Sequence, residues 1–529
     1  MTTTAPSSAN RQIARAAGTV MLAFVLTNLV GLLRQVLITR AFGTGAELDA
    51  FYAAQRLPDI LFMLVAGGAL ASAFIPTFTA FLEKEDRSGA WRLASAIINL
   101  VSLVLAFASL ITWVFAPQVV ANILAPDFPL DQQSLTVELL RILLLSPIIF
   151  GVSGLLMGIL NAHQRFLLPA LAPTMYWLGM ILGVLFLVPS MGIYGLACGA
   201  VGGALLHLAV QLPGLLRLPQ RRYFPIFGLA DPAVREVGQL MAPRLLGVAV
   251  VQLNFLVNTI IASGQPQGSL TAITVAFQVM TMPQVVIAQA IAIAAFPTFA
   301  AQVARGELAE MRSSLASTLR GILLLSLPAT LGLILLRFPV VELLFQRGEF
   351  DDQSTQLVAW ALLWYTAGLV SHSVVEIASR AFYALHDTRT PVVVGASAMG
   401  LNVVFSLAFS ALFMRIGWLP HGGLALANTL ATTIEVFVLL VLMRRRLHGL
   451  DARYMLTGLF QAGLATLAMS IFLLLWLPFS ANMPLWLQLG GGIALGGTVY
   501  AIGVIVLRVP EAQQLIEFAK QRLKLTAKS

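Results

Sequence analysis

The chain has a single cysteine, Cys198, in 529 residues. That excludes an internal disulfide and any cysteine-based zinc site. Charge is equally scarce: 10% of residues are charged, too few to cover the surface of a soluble protein this long. No P-loop is present, so the chain does not drive work by nucleotide hydrolysis of its own. No selectivity-filter motif appears, which argues against a channel. The acidic pairs Glu85-Asp86 and Asp351-Asp352 lie in loops without an accompanying catalytic pattern. They read as solvated loop carboxylates and give little support to a membrane glycosyltransferase or polymerase.

What the chain has is apolar length. Hydrophobic residues make up 58% and the mean hydropathy is +0.88. Stretches of about 18 residues or more recur from end to end, each enough to cross roughly 30 Å of hydrocarbon as a helix. They do not alternate, as barrel strands would. The fold class is therefore all-α and integral to the membrane. The net charge of +9 sits in short clusters between apolar runs, a topology signal and not a nucleic-acid surface. The apolar run after Arg11 and Arg15 is too long for a signal-peptide core, so the first helix is expected to remain in the mature protein.

Breakers between the runs give about fourteen spans, near 15–39, 50–82, 91–116, 134–160, 168–189, 191–213, 236–262, 269–302, 312–336, 354–385, 390–416, 420–443, 454–478 and 485–507. Of the 32 lysines and arginines, 24 fall on the side of the N-terminus and four (Arg40, Arg337, Arg347, Arg415) on the other. The positive-inside rule then places both termini in the cytoplasm. The expected organisation is a tail (1–14), an N-lobe of six spans (15–213), an interfacial linker (214–235) and a C-lobe of six spans (236–446). Two extra spans (447–509) and a basic tail (510–529) complete it. The linker carries Arg217, Arg221, Arg222, Tyr223 and Phe224.

The two lobes echo one another. Pro76-Thr77-Phe78 recurs as Pro297-Thr298-Phe299; His163, Arg165 and Pro169 recur as His386, Arg389 and Pro391; Gly195-Leu196-Ala197 recurs as Gly423-Leu424-Ala425. The order is kept, at offsets of 221–228. Six spans per repeat is an even number, so the repeats are parallel, around a central cavity, as in alternating-access carriers.

Ionisable groups inside spans are costly and point to function. Arg34 is either a cavity ligand or an arginine snorkelling to the outer interface. Arg56 is a ligand or a local partner of Asp59. Asp49 is a ligand or a first-turn carboxylate suited to its helix dipole. Arg244 reads mainly as a cytoplasmic anchor. Glu376 and Arg380, four apart, can neutralise each other on one helix face. Glu435 has no partner in its own helix and is a coupling-ion candidate, with Glu376, Asn254 and Asn258. Gly67-Gly68 and Gly202-Gly203 read as packing or bending positions. Guanidinium groups suit phosphate because they donate two parallel hydrogen bonds and stay charged.

The stretches Val30-Gly31-Leu32-Leu33-Arg34, Ala41-Phe42-Gly43-Thr44-Gly45, Asp49-Ala50-Phe51 and Arg56-Leu57-Pro58 resemble the MviN/MurJ family of lipid II flippases. So do Gly68-Ala69, Ala73-Phe74-Ile75-Pro76, Leu160-Asn161-Ala162 with Arg165-Phe166 and Pro169, Leu344 to Phe350, Ala381-Phe382-Tyr383-Ala384, Asp387-Thr388 and Thr390-Pro391. The likeness runs from about residue 15 to 445. It implies the multidrug/oligosaccharidyl-lipid/polysaccharide exporter fold and export of an undecaprenyl-linked peptidoglycan precursor. Arg34 and Asp49 match positions that family uses. Where well-studied members carry further arginines, this chain has Asn28, Phe62 and Gln278; where they carry a glutamate it has Gly67.

The resulting expectation is a flippase that moves lipid II from the inner to the outer leaflet during wall synthesis, binding it through Arg34, Asp49, Arg56, Asn28 and Gln278. No cofactor is implied beyond a coupling cation, Na+ or H+. Partners are the lipid-linked substrate, membrane lipids and wall-synthesis proteins, with no nucleic acid. Two other readings stay open: a flippase for another polyprenyl-linked glycan or a small-molecule exporter of the same superfamily, and a non-transporting scaffold.

Overall fold

The structure is a computed structural model that describes residues 8–65, 68–511 and 513. Among the described residues there is helix and no strand. The main helices are α1 (Ser8–Phe42), α2 (Ala46–Val65), α3 (Gly68–Glu83), α4 (Arg87–Val114), α5 (Leu130–Ala162), α6 (Leu167–Met191), α7 (Ile193–Leu216) and α8 (Pro232–Ser263). They continue as α9 (Ser269–Ala304), α10 (Leu308–Leu335), α11 (Arg337–Phe345), α12 (Asp352–Ala367), α13 (Leu369–Ala384), α14 (Arg389–Arg415), α15 (His421–Arg446), α16 (Ala452–Phe479) and α17 (Leu485–Val506). A short helical stretch over 116–124 lies between α4 and α5.

Among the described residues eleven helices are long and apolar enough to cross a membrane, and thirteen if two bent spans are each counted whole. One of these is α12–α13, bent by 45° at Gly368. There a Cβ would lie 2.6 Å from the Thr429 hydroxyl oxygen, so glycine lets the break pack on α15. The expected span 50–82 is described as α2 and α3, on either side of residues 66 and 67. Gly67 lies outside the described residues, as do the side chains of Arg11, Arg15 and Arg244.

The chain forms two compact units. One runs to Thr271 and includes Arg347–Asp351; the other holds Ala272–Gln346 and everything from Asp352 onward. The division falls after α8 and not in the 214–235 segment, because α8 packs along α3 and α2. The 214–235 segment itself is pinned to α4: Asn99 Nδ2 donates to the carbonyls of Phe224 and Ile226, and Ser95 accepts from the Phe224 N–H.

The repeat is written into local structure. Phe78 and Phe299, the last residues of the two Pro-Thr-Phe triplets, are buried in the cores of their own units. The helices that carry them end alike. A left-handed residue, Glu85 in one and Gly306 in the other, is followed by a backbone bond back across the last turn, Asp86 N to Phe81 O and Glu307 N to Gln302 O. Gln164 and His386 close α5 and α13 in the same way, with Arg165 N bonded to Leu160 O and Asp387 N to Phe382 O. Geometry thus pairs Gln164 with His386, which accounts for the uneven spacing of the sequence echo there.

Gly195 and Gly423 also do one job twice. A Cβ on Gly195 would come within 2.5 Å of the Leu187 carbonyl carbon, and one on Gly423 within 2.6 Å of the Phe409 carbonyl carbon. Each glycine lets the opening turn of a helix, α7 or α15, lie against the backbone of the helix before it. Along the α6–α7 seam the approach continues through Gly179, Gly183, Gly199 and Gly203. Gly202 faces open space, so only the second member of its pair serves packing.

The Leu344–Phe350 motif is a docking loop. Gly348 has φ +64°, and the Glu349 N–H donates to the Arg40 carbonyl at the end of α1 (3.0 Å). A Cβ on Gly348 would sit 2.4 Å from that carbonyl oxygen. Gly348→Ala combines a left-handed backbone with a clash against main chain, and is expected to lower stability by about 2 kcal/mol or more. A thermal melt of the purified variant in detergent checks it; an unchanged midpoint would contradict this account of the motif.

Candidate functional site

The site in the first unit is built on α1, α2, α6 and α8. Arg34 lies on α1, half-buried. Its guanidinium carbon stands 4.0 Å from the ring centroid of Trp177 on α6, and the group donates to Gln35 Oε1 (3.1 Å) and toward Met180 Sδ (3.9 Å). Gln35 is buried and donates to the Tyr52 hydroxyl on α2 at 2.8 Å. The arginine is therefore held flat on an indole face, a contact worth about 1–2 kcal/mol when partly desolvated. Gly31, one turn earlier, faces the same indole.

Arg56 on α2 donates through Nε to Thr259 Oγ1 (3.2 Å) and lies 5.4 Å from the Phe255 ring centroid, both on α8. Asp59, one turn further along α2, stands within electrostatic reach of both Arg56 and Arg34. Gln55 bridges locally, bonding Asp59 and donating to the Tyr176 hydroxyl at 3.4 Å. Arg34 and Arg56 thus flank a shared carboxylate and pack on aromatic rings of neighbouring helices. In the sequence Asp59 is legible only as a partner of Arg56, and Trp177, Tyr176 and Thr259 do not stand out as site residues. The adjacent aromatic pair Tyr176-Trp177 in a mainly aliphatic helix is the signal that was available.

Asp49 is 2% exposed, in the first turn of α2. Its carboxylate accepts from the N–H of Gly268 (2.7 Å), the N–H of Thr271 (2.7 Å) and the Thr271 hydroxyl (2.6 Å). Thr271 lies 222 residues after Asp49, within the offsets of the sequence repeat. A first-turn carboxylate of α2 therefore accepts from the first turn of α9, its repeat counterpart, where a helix N-terminus favours negative charge.

The other candidates are placed as follows. Asn28 is exposed on α1 and donates back to the Phe24 carbonyl of its own helix (2.8 Å). Asn254 and Asn258 are buried on α8. In the second unit, Gln278 is half-buried on α9. Glu376 and Arg380 on α13 form the expected i,i+4 ion pair at 2.7 Å. Glu435 on α15 is 9% exposed and has no hydrogen bond or ion pair among the described residues. Tyr383 on α13 is within electrostatic reach of Glu376, Arg380 and Glu435, so the three charges form one cluster. Among the described residues no group of three or more His, Cys, Asp or Glu could hold a metal ion.

Phe62 packs at a tilt against Phe150 of α5 (4.8 Å between centroids), which in turn meets Tyr176 (5.0 Å) and His207 (5.2 Å). A void of about 10 Å³ beside it, bordered by Asp59 and Tyr176, is the size of one water. Aromatic packing has taken the place where the resemblance implies an arginine.

The sequence model of the lipid II flippase MurJ family matches residues 38–488. The chain belongs to the lipid II flippase MurJ family. A lipid II flippase MurJ of Burkholderia cenocepacia is 31% identical over 429 residues, 80% of this chain and 82% of that protein. A probable lipid II flippase MurJ of Vibrio cholerae is 28% identical over 92% of this chain and 94% of its own. Among solved structures, a lipid II flippase MurJ in an inward closed conformation superposes with a TM-score of 0.79 at 23% identity, covering 92% of this chain and 98% of the other. An inward-facing multidrug-resistance MATE transporter of the MOP superfamily superposes at 0.66 and 16% identity, over 80% of this chain and 96% of that one. The fold is that of these transporters, and the chain is a multi-pass membrane protein.

Two stretches that carry the family likeness prove to be architectural here. Leu344–Phe350 is the docking loop described above. Asp387 accepts from the Thr390 N–H (3.0 Å) and hydroxyl (2.8 Å) at the start of α14 and pairs with Arg446 at 3.0 Å. Those bonds, the Thr390 N–H first, hold its carboxyl below the usual carboxylate range. Their contribution is present at neutral pH and is lost as pH falls through that lowered value.

Proposed function

We propose that the chain is a flippase that carries lipid II from the inner to the outer leaflet of a bacterial inner membrane by alternating access. The reading is carried by membership of the family along residues 38–488. Arg34 and Arg56 would meet the diphosphate, with Asp59 balancing the two guanidinium groups until the substrate's own negative charge replaces it. Asp49, Gln278 and Asn28 are further contacts or supports of the same path. The distribution of lysine and arginine supports a cytoplasmic position for both termini, and wall-synthesis proteins are the partners such an activity would serve.

Arg34→Lys tests the binding role. Lysine keeps the charge but loses the planar fork and the stack on Trp177, so flipping of lipid II in liposomes is expected to fall roughly tenfold, about 1.4 kcal/mol. Undiminished flipping would remove Arg34 from the site. The coupling ion is proposed to act at Glu435 with the Glu376–Arg380 pair, where a buried carboxylate lies beside an already balanced ion pair. Glu435→Gln should leave lipid II binding intact while abolishing the response of flipping to an imposed proton or sodium gradient. A variant that still responds to the gradient would place coupling elsewhere. The aromatic packing at Phe62 favours, as a second reading, a different head group on the same polyprenyl diphosphate. Competition between lipid II and other polyprenyl-linked glycans in the same liposomes separates the two.

A further inference from the structure

A second basic site lies in the second unit, far along the chain from Arg34 and Arg56. Arg320, twelve residues into α10, is 2% exposed. Burying an arginine is expensive unless every face is met, and here most are. Nε pairs with Glu511 Oε1 at 2.7 Å, one terminal nitrogen donates to Gln461 Oε1 at 2.9 Å, and the other to the Tyr454 carbonyl at 3.3 Å. The guanidinium carbon lies 4.4 Å from the Tyr454 ring centroid. Gly458 makes room for the stem, since a Cβ there would meet Arg320 Cγ at 2.6 Å. Gln461 also donates to the Leu507 carbonyl (3.0 Å), and the Tyr454 hydroxyl donates to Glu511 (3.1 Å). The arrangement is a built floor joining α10, α16 and the segment that leaves α17.

Above that floor is a cavity of about 590 Å³, lined by Arg320, Arg453, Arg508, Tyr454 and Asp451 among others. That is the size of a small-ligand site. Asp451 is engaged by Arg312 at 3.2 Å, and Glu511 by Arg320 and Tyr454. Arg453 and Arg508 are exposed and make no ion pair among the described residues. The balance of Arg312, Arg320, Arg453 and Arg508 against Asp451 and Glu511 is positive. The first turn of α16 also lacks a side-chain cap, which adds the partial positive charge of a helix start. The surrounding helices expose apolar side chains: Leu456 and Phe460 on α16 are 63% and 67% exposed, and Val506 on α17 is 71% exposed.

We propose that this corner binds the phosphate of an anionic phospholipid, with Arg453 and Arg508 on the headgroup, Arg320 beneath it and the acyl chains along α16 and α17. Two exposed guanidinium groups over a buried third supply the donors a phosphodiester accepts, and a basic pocket between helices beside apolar faces suits a lipid better than a soluble anion. In the orientation proposed above, the site faces the cytoplasmic leaflet. It does not depend on what the flippase carries.

The test uses the full-length protein in phosphatidylcholine nanodiscs, titrated with dioctanoyl phosphatidylglycerol and read by native mass spectrometry and thermal shift. Parallel arms use dioctanoyl phosphatidylcholine and glycerol 3-phosphate. Phosphatidylglycerol should bind and raise the melting midpoint, and the double variant Arg453→Gln/Arg508→Gln should fold normally yet bind it about tenfold more weakly. Arg444→Gln/Arg445→Gln, which removes two exposed arginines at the end of α15, should bind as the parent does. The proposal is overturned by unchanged binding in the first double variant, or by an equal loss in the second. Equal binding of phosphatidylcholine or of glycerol 3-phosphate overturns it too.

Discussion

Replacing Asp49 by alanine is expected to reduce lipid II flipping at least tenfold and to lower thermal stability. The carboxylate is buried and is the acceptor for three donors, two backbone N–H groups and one hydroxyl, at 2.6–2.7 Å. Alanine leaves all three without it, and each stranded donor costs about 1–3 kcal/mol. Water entering the site recovers part of this, so the net loss should be on the order of 3 kcal/mol. Asp49→Asn keeps one acceptor oxygen but turns an N–H of its own toward a donor, and should fall between parent and alanine. Flipping in liposomes and a melt of each variant form the check. If Asp49→Ala is as stable and as active as the parent, the carboxylate is not what ties α2 to the 268–271 turn.

The second large effect belongs to a residue with no polar chemistry. Gly203→Val should cost more than about 4 kcal/mol and yield little folded protein. A Cβ on Gly203 would lie 2.4 Å from the Tyr176 carbonyl oxygen, and Gly179 opposite would bring its own to within 2.2 Å of Gly203 Cα. Main chain cannot rotate away, so α6 and α7 must separate. Tyr176 and Trp177 ride on that part of α6, and separation would withdraw the ring on which Arg34 lies. Any protein that does fold should therefore flip poorly. Gly202→Ala is the internal control, since nothing lies within 4 Å of its added methyl group. Monodispersity after extraction, a melting midpoint and flipping distinguish the pair; equal behaviour of the two variants would defeat the explanation.

Much of the architecture was legible because the bilayer is a simple selector. A span needs about twenty apolar residues, so runs such as 91–116 and 454–478 correspond to α4 and α16 with ends a few residues away. The Pro-Thr-Phe and Gly-Leu-Ala echoes were legible for a different reason: each marks a core phenylalanine or a glycine contact that both repeats need. The site was legible only as a set of names. Arg34 and Asp49 could be picked out as charges in apolar runs, but Trp177 looked like any other aromatic, and Asp59 looked like a local partner of Arg56. The loop motifs around Gly348 and Asp387 carry the family likeness. They prove to be backbone devices, a left-handed glycine against a carbonyl and a helix-start carboxylate.

The sequence by itself determined that this is a helical membrane protein with an internal repeat and a sparse set of intramembrane charges. Hydrophobic length and charge placement are local properties, summed along the chain, and need no contacts to be read. Only the tertiary structure decided which charges meet: that Asp49 accepts from a turn more than two hundred residues away, that Arg34 and Arg56 share Asp59, and that Arg320 is buried beneath a basic cavity. Those pairings depend on how closely two helices approach, and that distance is set by glycines and ring faces whose partners lie on other helices.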